Sequence, residues 1–183
     1  IRNDMYGDFS IMSELRTNRI IPRDGLTSGT GIGGGVIQVK TTEKLVQQQI
    51  QDGSGINGTP ADIMSVTITP TRSDSKILVI CNVNASCSDA ALLYLFRAST
   101  KIAAGTDGNT ANRRGWAMPR MGASNECQNH STSILDTPAT TSAVTYTIKG
   151  LNESSSNPLR INRRASGTEY GLFSNIVVME VSG

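Results

Sequence analysis

Residues 63–69 read IMSVTIT, with Met64, Val66 and Ile68 alternating against Ser65, Thr67 and Thr69. A period of two puts the three apolar side chains on one side of an extended chain, so this segment is a strand with one buried face. Pro70 ends it, and SKILVICNVN (75–84) follows, apolar on both faces at its centre. A strand of that kind needs cover on both sides and belongs in the middle of a sheet. Two such neighbours commit the chain to stacked β-sheets.

The same grammar recurs along the rest of the chain. VIQVK (36–40) is a strand, and ALLYLFR (91–97) is a second segment apolar on both faces. KIAAG makes a short strand closed by glycine, and STSIL (131–135) leads into Asp136-Thr137-Pro138. VTYTIKG (144–150) alternates Val144, Tyr146 and Ile148 against Thr145, Thr147 and Lys149. LRINR (159–163) and FSNIVVMEV (173–181) complete the set. KLVQQQI (44–50) is ambiguous, since Leu45, Val46 and Ile50 suit a helical turn or a strand. Residues 105–130 are broken by four glycines and read as irregular. Eight or more strands at this spacing predict an all-β antiparallel sandwich of the jelly-roll type over residues 36–183. No helical pattern is long enough for a parallel α/β sheet.

Residues 1–35 differ. SELRTNRIIPRDGL is polar with one short apolar knot, Leu15 with Ile20 and Ile21, and Pro22 favours an extended Ile21. This stretch has no core of its own and reads as an extended arm that docks on something else, with Leu15, Arg16, Asn18, Ile20, Ile21 and Pro22 as its anchoring residues. The run GTGIGGG that follows contains a literal G-x-G-x-x-G at Gly29, Gly31 and Gly34. A dinucleotide fingerprint requires a strand before and a helix after, whose N-terminus meets the phosphate. Here a proline-interrupted arm precedes and a strand follows, so the glycines are a hinge.

The candidates for chemistry are sparse. His130 is the single histidine, and Cys127-Gln-Asn-His130 supplies only two of the four ligands a structural zinc needs. No serine sits in a nucleophile elbow, and Asp89, Asp107, Asp136 and Glu169 show no pairing; Asp136 reads as a turn residue before Pro138. Neither a catalytic group, a cofactor nor a metal is expected. Three cysteines do not make a disulfide framework, and Cys81, inside an apolar run, reads as a small core residue. A net charge of +2 gives no basic field for nucleic acid, and no run approaches the ~20 apolar residues of a membrane helix. The loop RRGWAMPRM (113–121) is the candidate receptor surface, with Arg113, Arg114 and Arg120 around Trp116. An exposed Trp–Arg patch suits glycan or protein recognition; the alternative is that Trp116 plugs the end of the sandwich or a subunit contact.

Taken in order, MSELRTNRIIPRDGL (12–26), the glycine run with VIQV, VTITPTRSDSKILVICNVN (66–84), the L-F-R at 95–97, ILDTPATTSAVTYTIKG (134–150), and LRINR with SNIVVMEV resemble a family of virion proteins from tailed bacteriophages of marine bacteria and cyanobacteria. Members of that family begin at a methionine matching Met12, so residues 1–11 are expected to be an extension. The KLVQQQIQDGSGINGTPADI segment departs from the family pattern. The second half also resembles the trimeric jelly rolls of the tumour necrosis factor and complement type. The resemblance implies a non-enzymatic virion structural protein. It would be a homotrimeric tail or head fibre or spike, attached to other virion proteins by its arm and displaying the jelly roll toward a host surface glycan. A capsid decoration or cement protein is the alternative within the class, and a glycan-degrading enzyme the alternative outside it. In a trimer, Tyr94, Phe96, Tyr146 and Phe173 are the expected side chains at the subunit interface.

Overall fold

A computed structural model of the chain describes residues 35–107, 111–120 and 126–182. The arm residues Leu15, Arg16, Asn18, Ile20, Ile21 and Pro22, and the hinge glycines up to Gly34, lie outside the described residues. Ten strands follow: β1 (Val36–Lys44), β2 (Gln48–Ile50), β3 (Ala61–Ile68), β4 (Lys76–Ser86), β5 (Ala91–Arg97), β6 (Thr100–Lys101), β7 (Gln128–Asp136), β8 (Val144–Asn152), β9 (Leu159–Ile161) and β10 (Ser174–Val181).

β4 organises the first sheet. β7 pairs with it from Ile77 to Ala85 along one edge. The other edge is shared in succession by β10, opposite 76–82, and β9, opposite Ala85 and Ser86. β1 adds to β10 and β2 to β9. The second sheet runs β3-β8-β5-β6. Every pairing is antiparallel, and the connections β3–β4, β4–β5, β6–β7 and β7–β8 each cross between sheets. Two four-stranded layers, β1-β10-β4-β7 and β3-β8-β5-β6, wound in this order, form a jelly-roll sandwich, as the strand spacing predicts.

Alternation decides what lies between the layers. Ile77, Val79, Cys81, Val83 and Ala85 of β4 are wholly buried, as are Ile176 and Val178 of β10. Ile68, Leu93, Leu95, Tyr146 and Ile148 meet them from the opposite sheet. A bulge between Asp62 and Met64 interrupts the alternation in β3, which is why Ile63 and Met64 are both buried.

The second sheet has cover outside as well. Leu92, Tyr94 and Leu151 form a smaller cluster on its outer face, with Ile56 and Phe96 packed against it. The cover comes from two 3₁₀ turns, Gly55–Asn57 and Ala111–Arg113, joined when Asn112 donates to the carbonyl of Ile56. Gly55 permits this seat: its φ is +54°, and a Cβ there would lie 2.3 Å from the Glu153 carbonyl oxygen.

Three sequence expectations shift. KLVQQQI resolves into a bend that exposes Leu45 and Val46, followed by β2. β7 begins at Gln128, earlier than STSIL, inside the region read as irregular. KIAAG contributes only Lys101, the second residue of β6, because Phe96 and Arg97 alone pair with that strand.

The registers also orient the sandwich. Val36 pairs with Val181, and Ile77 with Asp136, so β1 starts where β10 and β7 end. That end, nearest in sequence to residues 1–34, is the arm end. The far end carries Lys44, Ser174, Gln128 and the Gly55–Asn57 turn.

Candidate functional site

The outward positions of the β1-β10-β4-β7 sheet are set by the same alternation that builds the core. Near the arm end, Val39, Met179, Leu78 and Leu135 fall in one row across all four strands. Val177 and Ile80 extend this row into the next. Val39 is 51% exposed and Leu135 55%, and the other four are half-buried. Farther from the arm end the face turns polar. Ser131 donates to Asn82 at 2.9 Å and Asn82 to Asn175 at 2.9 Å, a ladder of side chains across β7, β4 and β10. Nothing in the chain's described residues covers the apolar rows. This face was not singled out from sequence, although the outward residues of KILVI and NIVVMEV, being apolar, carry the signal.

The four aromatic residues expected at an interface do not share a face. Tyr94 and Tyr146 are corrections: both have no exposed surface within a single protomer. Tyr94 belongs to the covered outer cluster and donates to the Asn112 carbonyl. Tyr146 lies between the sheets and donates to Asp136 at 2.7 Å. Burial raises both phenols, Tyr94 to about 12, and for Tyr146 the Asp136 carboxylate adds to the rise. Neither side chain lies at the surface of the protomer. Phe96 is half-buried outside the second sheet with the Lys149 ammonium 5.3 Å above its ring, while Phe173, 56% exposed, sits at the far end beside β10.

Residues 113–120 of the RRGWAMPRM loop lie toward the far end and are tied to β5. Trp116 donates its amide to the Leu93 carbonyl at 2.9 Å, and Leu93 donates to Ala117 at 2.9 Å. This close approach requires Gly115, where a Cβ would stand 2.6 Å from the Leu93 carbonyl oxygen. Trp116 is half-buried against the main core, beside the edge of β5 rather than across the end of the sandwich. Arg113 is exposed and pairs with Glu153; Arg120 is exposed and Arg114 half-buried. Lys101 anchors the loop by donating to the carbonyls of Ala111 and Arg114, with its ammonium 4.2 Å over the Tyr94 ring. The far end also presents Tyr170 and Leu172, with the Arg164 guanidinium 5.0 Å from the Tyr170 ring.

At the arm end two carboxylates are fixed inside the fold. Asp136 is more than a turn residue: it accepts from Arg97 Nη1 at 2.9 and 3.0 Å and from the Tyr146 hydroxyl. This joins the last residues of β5 and β7 across the sandwich. Glu180 takes the next inward position after Ile176 and Val178 and is wholly buried. It accepts from Gln38 at 2.6 Å, the Thr71 amide at 2.7 Å and the Thr71 hydroxyl at 2.8 Å. Burial raises its pKa, but the donors, Gln38 foremost, outweigh burial and hold it at about 2.

The remaining chemical candidates stay apart. Among the described residues no three His, Cys, Asp or Glu side chains gather as a metal-binding group. Cys127 precedes β7 and His130 lies within it, and no further ligand gathers around them among the described residues. All three cysteines are free, and burial pushes the Cys81 thiol to about 12. No protein-family model matches the chain, and no curated protein is significantly similar to it.

Proposed function

We propose that this chain is a non-enzymatic structural protein of a bacteriophage virion, a homotrimeric fibre or spike held to the particle by residues 12–28. The observation that carries the oligomer is the uncovered apolar rows of Val39, Leu78, Ile80, Leu135, Val177 and Met179. Six apolar side chains on one sheet face are costly to leave in water, and covering the exposed half of Leu135 alone is worth about 1 kcal/mol. Closed rotational symmetry covers such a face with copies of the same chain and leaves no sticky edge. The virion assignment is supported by the ordered resemblance from Met12 onward.

The polarity of the sandwich supports display. The arm joins the fold at one end, whereas Arg113, Tyr170 and Phe173 are exposed toward the other. Three arms leaving one end of a trimer gain effective concentration for their anchoring sites. The test is assembly: virions made with a chain lacking residues 12–28 should lose this protein while the soluble trimer persists. A truncated protein still incorporated at wild-type level would refute arm anchoring. Labelled virions imaged by electron microscopy with the protein spread over the capsid lattice would replace the fibre by a decoration role.

A further inference from the structure

A groove of about 350 Å³ opens at the arm end, between the turn joining β5 to β6 and the connection from β7 to β8. Arg97, Ala98, Thr100, Pro138, Thr140 and Thr145 are among its lining residues. We propose that this groove binds a carboxylate side chain presented by an acidic peptide segment of a partner protein in the particle. The proposal rests on the arm-anchored reading above, which places this end against the particle.

Arg97 supplies the recognition. Its contacts with Asp136 and with the Thr137 carbonyl all use Nη1. Nε and Nη2 make no hydrogen bond among the described residues, so one edge of the guanidinium fork is open. That edge presents two parallel N–H groups, the spacing a carboxylate accepts. Asp136 is itself held by the buried Tyr146 hydroxyl, so the guanidinium is oriented before any ligand arrives. Pre-organisation of this kind removes part of the ordering cost of binding.

The walls of the groove are built at a conformational cost. Ala98 has φ +50° and Ala139, between lining residues Pro138 and Thr140, has φ +53°. Alanine in the left-handed region is unfavourable by about 1 kcal/mol or more, and such residues gather at binding sites. Thr100 is exposed, and the Thr140 hydroxyl, which accepts from the Ser142 amide at 3.0 Å, still has a proton to donate to a peptide carbonyl. No aromatic ring lines the groove, so it lacks the stacking platform that favours a sugar.

The experiment is a titration of the full-length protein followed by proton–nitrogen correlation spectra, with the solution mass measured on the same samples. The probes are acetyl-Ala-Glu-Ala-amide, its Gln counterpart and glucuronate. The expected result is saturable shifts of the Arg97 Nε–H and the Thr100 and Thr140 amides with the Glu peptide, and at least tenfold weaker effects with the Gln peptide. Arg97→Lys keeps a cation against Asp136 but loses the fork, and should weaken binding at least fivefold with the fold intact. Thr100→Val, at an exposed position, should weaken it about twofold. Absence of shifts at these residues, equal response to the Gln peptide, or tighter binding of glucuronate would each overturn the proposal. Loss of the protein from virions when residues 12–28 are deleted would show that the arm-anchored reading survives that failure.

Discussion

Replacing Glu180 by glutamine removes a charge from inside the sandwich while keeping its shape. In the folded protein the carboxylate is wholly buried and accepts three hydrogen bonds, from Gln38 and from the amide and hydroxyl of Thr71. Those donors bring its pKa from the ordinary 4.5 to about 2 against the opposing effect of burial. A difference of that size corresponds to about 3 kcal/mol of stability at neutral pH. Its donors reach water, Thr71 being exposed and Gln38 half-buried, so solvent screens part of it and leaves about 2 kcal/mol. Because the folded pKa is the lower one, this contribution is complete above about pH 4.5 and is lost as pH falls through about 2. Glu180→Gln should therefore unfold at a midpoint about 4–8 °C below the parent at pH 7. The gap should narrow steadily below pH 4.5 and close near pH 2. Thermal unfolding followed by circular dichroism at fixed protomer concentration measures this, since association also raises stability. A gap that is absent at pH 7, or that stays constant down to pH 2, would refute the reasoning.

Three other outcomes follow from the same geometry. Gly115→Ala should drive the 115–119 segment off β5, cost about 1–3 kcal/mol and shift Trp116 fluorescence to the red; unchanged emission and stability would contradict the close approach at Leu93. A thiol reagent at pH 8 should modify Cys127, which is half-buried, and leave Cys81 and Cys87 untouched until the protein unfolds; two unreactive thiols with a mass two hydrogens lower would instead reveal a disulfide. Asp136→Asn should destabilise by about 1–2 kcal/mol, because the partly exposed Arg97 loses its counterion and the buried Tyr146 hydroxyl loses a charged acceptor; a change under about 0.3 kcal/mol would contradict this.

Much of this fold is legible in the sequence because the strands that define it are buried on one or both faces. IMSVTIT, SKILVICNVN and VTYTIKG carry their periods openly, and the strand ALLYLFR has the bounds expected of it. β7 is less legible: it is an edge strand, and its first residues, Gln128, Asn129 and His130, show no apolar alternation. The misread tyrosines have a different cause. Tyr94 sits at an outward position, and what buries it is two turns some 40 residues before and 20 residues after it, a contact that local pattern does not encode. Tyr146 does alternate inward, and that pattern should have placed it in the core. Asp136 looks like a turn residue because Pro138 follows, yet its partners come from β5 and β8. Glu180 is hidden in the same way: MEV reads as the end of a strand, and Gln38 of β1 together with the loop at Thr71 explains a buried carboxylate there. The apolar face across β1, β10, β4 and β7 becomes visible only when register aligns residues more than a hundred positions apart.

Sedimentation equilibrium of the purified chain at micromolar concentration bears most directly on the proposed assembly. The account predicts a mass three times 19.5 kDa, and a return to 19.5 kDa when Leu135 is replaced by glutamate. A wild-type monomer, or a trimer indifferent to that substitution, would contradict it.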